Sequence, residues 1–258
     1  MIPAALVLAG SRGVPDPVAL AEGVAHKALA LVDGQPMLAR VIAALRAAGV
    51  ETVAVAANDP EVVALAEALG ATVLPPRPGP SASVGAALER LGTPLLVTTS
   101  DHALLKPAWV RDFLADTPAD ADVAILLARR ETVEAALPGT RRTWLRLADG
   151  RWSGCNLFYL ATPGAQAAVA TWSAVDRDRK RPWRIAARLG PGTLINFALG
   201  RLTMAQAIER LGRRIGIAAR VVAARDGLAA VDVDKPADLA DVRRIVRSAA
   251  LEQAAERV

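Results

Sequence analysis

Short apolar segments alternate with amphipathic segments along the first half of the chain. The apolar segments are short enough for buried strands and lie at residues 3–8, 52–57, 72–74, 94–99 and 122–128. Between them, apolar residues recur at helical spacing at residues 37–48, 60–69, 81–91 and 107–114. This alternation predicts an α/β fold with a doubly wound, mostly parallel sheet.

The second half of the chain follows a different pattern. Strands are predicted at residues 143–147, 157–160 and 218–223, and helices at residues 163–173, 183–189, 203–211 and 236–250. Thr203 and Gln206 have the spacing of a capping box. Because neither a repeat nor a flexible linker interrupts the pattern, we expect one domain over residues 1–258 with a helical insertion at residues 163–217.

Two loops are predicted from their glycine and proline content. One extends from residue 11 to about residue 26, and the other is the Pro-Pro-Arg-Pro-Gly-Pro segment at residues 75–80. Proline lacks a backbone donor and has a fixed φ, so such a segment continues neither a strand nor a helix.

The composition narrows the class of protein. Hydrophobic residues make up 53% of the chain, which excludes wholesale disorder, and aromatic residues make up only 3%. No apolar run approaches the ~18–20 residues of a membrane span, and residues 1–10 lack the basic start of a signal peptide. Cys155 is the only cysteine, which excludes an internal disulfide and a cysteine-rich metal site. We therefore expect a cytoplasmic protein.

Positive charge is concentrated in one region. Residues 176–225 contain 12 Lys or Arg and 3 Asp or Glu, whereas the whole chain has a net charge of only +5, so the remainder is net acidic. Such a patch suits phosphate groups, nucleic acid or anionic lipid, and a solvated helix face explains it equally well.

Residues able to bind phosphate and metal follow the predicted strands, where ligands of open α/β sheets bind. Backbone N–H groups of a glycine turn hold phosphate oxygens, cations neutralise a triphosphate, and carboxylates hold Mg²⁺. The residues in these positions are Gly10, Ser11, Arg12 and Gly13 after the first strand, Lys27 further along, Ser81 and Ser83 after the third strand, Asp101 after the fourth, and Asp232 and Asp234 before the last helix.

Each of these residues also has an ordinary structural explanation. The glycine segment matches neither the dinucleotide-binding pattern nor the P-loop, which argues against a nicotinamide-dependent enzyme and leaves a plain turn open. Lys27 can be a surface lysine, and Asp101 and Asp234 can cap the helices that follow them. The functional interpretation depends on all of these residues occurring in a consistent order.

Longer motifs around these positions carry a family resemblance. They are residues 6–13 (Leu-Val-Leu-Ala-Gly-Ser-Arg-Gly), 26–29 (His-Lys-Ala-Leu), 34–38 (Gly-Gln-Pro-Met-Leu), 80–84 (Pro-Ser-Ala-Ser-Val), 99–102 (Thr-Ser-Asp-His), 153–157 (Ser-Gly-Cys-Asn-Leu) and 231–239 (Val-Asp-Val-Asp-Lys-Pro-Ala-Asp-Leu). Together they resemble the MobA-like NTP transferases, which include sugar-phosphate nucleotidyltransferases and the molybdenum-cofactor guanylyl- and cytidylyltransferases. The resemblance covers about residues 3–160 and 218–245, and it implies a Rossmann-like fold of the nucleotide-diphospho-sugar transferase type.

The resemblance also implies roles for individual residues. Asp101 and Asp234 would hold Mg²⁺, with Mn²⁺ as an alternative metal and Asp232 as the lesser candidate ligand. Gly154 and Asn156 would contact the acceptor or the ribose. The implied catalytic residues are Arg12, Lys27, Asp101 and Asp234, and the implied nucleotide-binding residues are Leu8, Ala9, Gly10, Ser11, Arg12, Gly13, Lys27, Ser81 and Ser83.

Several positions depart from the family pattern. The first loop contains Ser-Arg-Gly where the family has glycine, a variable residue and Arg-Met. His26 replaces the usual proline before Lys27, and Lys235 replaces a common threonine. Residues 163–217 have no counterpart in the small members. These departures leave the nucleotide and especially the acceptor open.

The implied reaction transfers a nucleoside monophosphate from an NTP to a phosphorylated small-molecule acceptor and releases pyrophosphate, with CTP or GTP as the favoured nucleotide. Arg181 and Arg184, in the basic region, are expected to contact the acceptor. A peripheral contact with an anionic membrane and a homodimer contact are further interpretations of that region. A nucleic-acid partner is not expected.

Two other classes of protein stay open. A glycosyltransferase of the same broad fold would also need a metal and a carboxylate, but it would not need Lys27 in the first loop. A non-catalytic nucleotide-binding or membrane-docking module would use residues 176–225 as its interaction surface. Metal-dependent release of pyrophosphate would separate the enzyme from this module.

Overall fold

The computed structural model describes residues 2–11, 16–140, 142–178 and 191–255. The helix predicted at residues 183–189 therefore lies outside the described residues. Among these residues the strands are, in chain order, β1 (Ile2–Leu8), β2 (Leu31–Val32), β3 (Gln35–Pro36), β4 (Val50–Ala56), β5 (Thr72–Leu74), β6 (Leu95–Thr99), β7 (Val123–Arg129), β8 (Leu145–Leu147), β9 (Gly150–Leu160) and β10 (Ala219–Ala223).

Within the described residues, the central sheet has eight strands and is mostly parallel. Seven strands follow the order β10-β7-β9-β6-β1-β4-β5, and β8 pairs with β9. β1 is parallel to β4 and β6, β4 is parallel to β5, and β7 is parallel to β10. β9 runs antiparallel between β6 and β7. The predicted α/β class with a mostly parallel sheet is confirmed.

Helices cover both faces of this sheet, as expected of a doubly wound fold. Alternate residues of a strand point to opposite faces, so Ala5 and Val7 of β1 enter one core while Ala4 and Leu6 enter the other. Short 3-10 helices occur at Lys27–Leu29 and Gly227–Ala230. In the described parts of the chain, the α-helices are α1 (Pro17–Glu22), α2 (Met37–Ala47), α3 (Pro60–Ala68), α4 (Pro80–Leu91), α5 (Pro107–Asp116), α6 (Arg130–Ala136), α7 (Ala165–Asp178), α8 (Pro191–Ala198), α9 (Met204–Arg214) and α10 (Pro236–Ala255).

Helix α1 corrects the prediction of a continuous loop from residue 11 to residue 26. Asp16 caps the helix by accepting hydrogen bonds from the backbone N–H groups of Val18 and Ala19, at 2.8 and 3.3 Å. Pro17 stands in the first turn, and Gly23 ends the helix with a φ of 65°. These are ordinary start and stop signals, but the helix is only six residues long. No apolar period could be recognised over that length.

Strand β9 is longer than the predicted strand at residues 157–160. Its pairing with β7 shifts register between Ile125 and Leu127, which is a bulge. Asn156 lies in this bulge with a φ of 49°, a left-handed conformation that asparagine tolerates better than most residues. Since β9 is antiparallel to β7, its first half lies beside the carboxyl end of β7.

The region of residues 163–217 contains α7, α8 and α9. Helix α7 packs against α4, and α9 packs against β10. The predicted capping box of α9 is confirmed, because the Thr203 side chain and the Gln206 side chain each accept a hydrogen bond from the other's backbone N–H. The division into one domain with an insertion stays a prediction. None of the described helices is long and apolar enough to span a membrane.

Candidate functional site

Lys27 lies at the centre of a cluster of acidic side chains from distant parts of the chain. Its Nζ is 2.7 Å from Asp101 Oδ2 and 3.4 Å from Asp234 Oδ1. It also donates a hydrogen bond to the Val233 carbonyl at 3.1 Å, and Asp16 Oδ2 lies 3.9 Å away. The cluster therefore joins the first loop, the end of β6 and the segment before α10.

Local backbone structure fixes the position of Lys27. Lys27 begins the 3-10 helix Lys27–Leu29, and His26 precedes it as the cap. The His26 Nδ1 accepts a hydrogen bond from the Ala28 backbone N–H at 3.0 Å. His26 thus stabilises this turn by a side-chain cap.

Asp101 is held by the turn that follows β6. The Thr99 hydroxyl donates a short hydrogen bond to Asp101 Oδ1, which leaves Oδ2 to face Lys27. The Asp101 backbone carbonyl accepts from the Val233 N–H at 3.1 Å, so the turn is joined to the segment that carries Asp234. Asp101 does not cap α5, because the capping position of that helix is Lys106.

Asp234 is the most exposed member of the cluster, with 74% of its side chain accessible to solvent. Asp238 Oδ2 accepts hydrogen bonds from the backbone N–H groups of Asp234 and Lys235, each at 3.1 Å. Asp238 therefore takes the capping role that the sequence left open for Asp234. The Asp234 carboxylate is left facing Lys27 and solvent, where a ligand can reach it.

Electrostatics keep Lys27 positively charged. Burial by itself would lower the pKa of its ammonium group, but the neighbouring carboxylates of Asp101, Asp234 and Asp16 raise the pKa to about 12. A permanently charged lysine can neutralise phosphate oxygens, but it cannot accept a proton near neutral pH.

His102 is buried beside the site and is not placed for proton transfer. Burial is the main reason that its pKa falls to about 4, so the ring is neutral at neutral pH. Its Nδ1 lies 3.3 Å from the Thr98 hydroxyl, and the ring stacks on Trp109 with 6.1 Å between the ring centroids. These contacts hold the His102 ring in the protein interior, next to Asp101 in the chain.

Asp232 contacts protein donors rather than Lys27. Its Oδ2 accepts a hydrogen bond from the Asn156 side-chain amide at 2.9 Å, and its Oδ1 forms a short ion pair with Arg142. The structure thus brings together two predicted residues, Asp232 and Asn156, with a third that no sequence motif marks. Gly154 is exposed on β9 opposite Leu127 of β7.

The described part of the first loop shows why a glycine follows β1. A Cβ added to Gly10 would lie 3.2 Å from Pro76 Cβ, which is tighter than an ordinary contact. Ala9 N–H donates to the Ala56 carbonyl at 2.9 Å, and Ser11 N–H donates to Asn58 Oδ1 at 3.1 Å. The start of the loop is therefore held in place by contacts with the end of β4, the residues just after it and the proline-rich segment. Leu8 is the last residue of β1.

Ser81 and Ser83 lie in the first turn of α4, and both are buried. The Ser83 hydroxyl accepts a hydrogen bond from the Arg77 N–H at 2.9 Å and lies 3.2 Å from the Gly79 carbonyl. Ser83 therefore organises the proline-rich loop, and any contact of either serine with a nucleotide base stays a prediction.

Four predicted site residues, Arg12, Gly13, Arg181 and Arg184, lie outside the described residues. Of the other catalytic candidates, the structure brings together Lys27, Asp101 and Asp234. Sequence reasoning missed Asp16 and Arg142. The Asp-Pro pair at residues 16 and 17 is a helix-start signal that could have revealed Asp16, whereas Arg142 stands in a segment without any local signal.

The two carboxylates that face Lys27 suit a hard divalent cation. Because both oxygens contact one nitrogen, at 2.7 and 3.4 Å, they cannot lie farther apart than the sum of these distances. Within the described residues, no group of three or more His, Cys, Asp or Glu side chains could hold a metal ion. Mg²⁺ commonly binds one or two carboxylates and completes its shell with water and substrate phosphates, so this donor set fits it.

Lys27 and the paired aspartates lie at the carboxyl edge of the doubly wound sheet, which is where open α/β sheets bind their ligands. The family model described as the MobA-like NTP transferase domain matches residues 5–154. The chain therefore belongs to the MobA-like NTP transferase family.

Solved structures of other proteins share the fold of this chain. A hypothetical transferase from Thermus thermophilus is 34% identical with a TM-score of 0.77, covering 93% of this chain and 100% of its own. A CMP:2-keto-3-deoxy-manno-octonic acid synthetase complexed with CTP is 21% identical with a TM-score of 0.56, covering 96% and 98%. A nucleotidyl transferase from Methanothermobacter thermautotroptrophicus is 20% identical with a TM-score of 0.57, covering 96% and 99%. Among curated proteins, none matches this sequence.

Proposed function

We propose that this protein is a magnesium-dependent nucleotidyltransferase, which transfers a nucleoside monophosphate from an NTP to a phosphorylated small molecule. The observation that carries the proposal is the convergence of Lys27 with Asp101 and Asp234. A permanent cation can neutralise the phosphates of an NTP, and two carboxylates beside it can hold the divalent metal ion that accompanies the NTP. Mn²⁺ is the alternative metal.

The reaction that follows is an in-line displacement at the α-phosphorus. An acceptor phosphate oxygen forms the new bond, the bond from the α-phosphorus to the bridging oxygen breaks, and pyrophosphate leaves. Asp101 and Asp234 would hold the metal, which supplies charge stabilisation at the phosphates when bound. Lys27 neutralises charge on the triphosphate and on the departing pyrophosphate.

No strong general base is required by this chemistry. The acceptor phosphate is already anionic, so its oxygen can attack without losing a proton to the protein. The neutral, buried state of His102 agrees with this requirement. Most of the rate enhancement would come from positioning and electrostatic stabilisation.

CTP is our first choice of nucleotide, with GTP second. One structural neighbour is a synthetase that was solved with CTP. Residues 80–84, which begin α4, resemble in sequence the base-side loop of cytidylyltransferases. Arg12, Ser81 and Ser83 remain proposed nucleotide contacts. Gly154, Asn156, Arg181 and Arg184 remain proposed acceptor contacts.

The deciding experiment is a pyrophosphate-release screen. The four NTPs are tested with Mg²⁺ against a panel of phosphorylated sugars, alditols and cofactors, and each reaction is repeated with EDTA. We expect CTP or GTP to give metal-dependent pyrophosphate release with one acceptor class. If the folded protein releases pyrophosphate with no combination, the proposal is wrong. Release of a nucleoside diphosphate from a nucleotide sugar would instead favour the glycosyltransferase alternative.

A further inference from the structure

Arg142 is anchored beside the candidate site by contacts that fix its guanidinium. Its Nη1 donates to the Ala230 carbonyl and its Nη2 donates to Asp232 Oδ1, both through short hydrogen bonds. The other oxygen of Asp232 is held by the Asn156 amide at 2.9 Å. The carboxylate that orients Arg142 is therefore itself held from a second side, so the guanidinium has a defined direction.

Part of the hydrogen-bonding capacity of Arg142 is not used by this anchor. A guanidinium has five N–H donors in a rigid, planar fork, and two of them have the partners just described. Within the described part of the chain, the other three donors have no hydrogen-bond partner. The side chain is 12% exposed, so the guanidinium is mostly desolvated but still reaches the surface.

Arg142 also lies next to the group that faces the triphosphate in the proposed reaction. Val231 and Val233 are buried, whereas Asp232 and Asp234, which alternate with them, are partly or fully exposed. Alternation in an extended segment directs the two aspartates to the same side. The ion pair of Arg142 with Asp232 therefore stands beside that of Lys27 with Asp234.

We infer that Arg142 binds the phosphate group of the acceptor and thereby helps determine acceptor specificity. This inference rests on the proposed function, since it concerns the second substrate of that reaction. The planar fork matches two phosphate oxygens at once. Asp232 is then a positioning residue, which acts on the acceptor by orienting Arg142, and the Asn156 amide holds Asp232 in place in addition to its proposed acceptor contact.

The anchor determines what kind of attraction Arg142 exerts. Arg142 and Asp232 neutralise each other, so binding depends on directed N–H donors in a poorly solvated place rather than on net charge. Screening by salt acts mainly on exposed charges. We therefore expect phosphate affinity at this position to change little with ionic strength, unlike binding by a solvated basic patch.

The alternative is that Arg142 has a purely structural role. It would then act only as a strut, that is, a side chain whose hydrogen bonds join the segment before β8 to the segment at Ala230–Asp232. A strut and an anion-binding residue predict different results. Loss of a strut lowers the free energy of unfolding and leaves the affinity of the folded protein for phosphate unchanged. Loss of an anion-binding residue lowers the affinity itself.

The test measures inorganic phosphate binding by isothermal titration calorimetry, with magnesium pyrophosphate present at saturation to occupy the Lys27 side. The variants are Arg142→Gln, Arg142→Lys and, as the matched control, Arg146→Gln, an exposed arginine on β8. We expect Arg142→Gln to weaken phosphate binding about tenfold or more, as for other hydrogen bonds to charged groups. Arg142→Lys should be intermediate because lysine keeps the charge but lacks the fork. Arg146→Gln should match the wild type.

Wild-type affinity in Arg142→Gln, or no phosphate binding by the wild-type protein, would overturn the inference. If Arg142→Gln does not fold, unchanged affinity in Arg142→Lys would overturn it instead. Failure of the proposed function looks different, because pyrophosphate release would then be absent while phosphate binding still depended on Arg142. Conversely, turnover with an acceptor KM that is insensitive to Arg142 would leave the function standing and remove the acceptor role.

Discussion

At the scale of single residues, the site depends on the contacts that the Lys27 ammonium group makes with two carboxylates. Lys27 lies between Asp101 and Asp234, and these carboxylates raise its pKa to about 12 despite its burial. Asp101 is nearly enclosed and is held by Thr99, whereas Asp234 is open to solvent. In the proposed reaction, Asp101 would thus be a fixed metal ligand and Asp234 an adaptable one, which suits a metal that arrives with its nucleotide.

Removing either carboxylate should impair turnover far more than folding. Asp101→Asn and Asp234→Asn each remove a negative charge that would hold the metal, and we expect kcat/KM for pyrophosphate release to fall on the order of 10²-fold or more. The control is Asp112→Asn on α5, which removes an exposed carboxylate that pairs with Arg225. Equal activity in all three variants would rule out the metal assignment, and melting temperatures would show that each variant is folded.

At the scale of elements, short capped turns position the side chains of the site. The 3-10 helix Lys27–Leu29 depends on the His26 ring, because Nδ1 accepts the Ala28 N–H only when it is unprotonated. Burial lowers the pKa of His26 below its ordinary value of 6.5, against the opposing effect of Asp59. The fold thus favours the neutral ring, whereas the unfolded chain takes up a proton near pH 6.5.

This linkage predicts how stability depends on pH. The stabilisation from neutral His26 is fully present above pH 6.5 and is lost as the pH falls from 6.5 towards the folded-state pKa. His26→Asn keeps a cap acceptor that does not titrate, so urea unfolding of this variant should show a shallower loss of stability over that range. His26→Ala should cost about 1 kcal/mol at neutral pH through loss of the cap. Identical pH profiles for the wild type and His26→Asn would contradict the linkage.

A second element-scale prediction concerns the close contact between α6 and the 3-10 helix Gly227–Ala230. A Cβ added to Gly227 would lie 2.2 Å from the Thr132 carbonyl oxygen, so backbone would have to move. We expect Gly227→Ala to lower the free energy of unfolding by about 3 kcal/mol or more. Gly192→Ala is the matched control, because a Cβ there meets nothing within 4 Å. Chemical denaturation of both variants measures the difference, and comparable stability would show that the contact is not tight.

At the scale of the whole molecule, the basic region is partly neutralised by the rest of the fold. Arg225 pairs with Asp116 at 2.6 Å, and Arg220 forms a short ion pair with Asp120. Both aspartates lie outside residues 176–225, so some of the net acidic charge elsewhere in the chain compensates the basic segment. The function of the remaining cations, including Arg181 and Arg184, stays a prediction.

Charge reversal tests whether those cations serve the acceptor. The pair Arg181→Glu and Arg184→Glu should raise the acceptor KM, most strongly at low salt, and leave NTP binding nearly intact. Arg90→Glu with Arg247→Glu changes the net charge equally elsewhere and is the control. If the cations instead dock on lipid, the first pair should abolish sedimentation with anionic vesicles and spare soluble turnover. A double variant that behaves as wild type in both assays would indicate a solvated surface.

The sequence by itself determined the class of fold and the position of most candidate residues. Strand and helix periods are local, so the alternating elements, the capping box at Thr203 and the placement of Asp101 after a strand could all be predicted. The family motifs at residues 6–13 and 231–239 are contiguous and could be recognised in the same way.

Only the tertiary structure decided which of these residues meet. The contact of Lys27 with Asp234 joins positions separated by more than two hundred residues, and it depends on strand order, which local periods do not encode. The same holds for β9, which lies between β6 and β7 only in the folded sheet. Arg142 has no local signal because its partners, Asp232 and the Ala230 carbonyl, come from the far end of the chain.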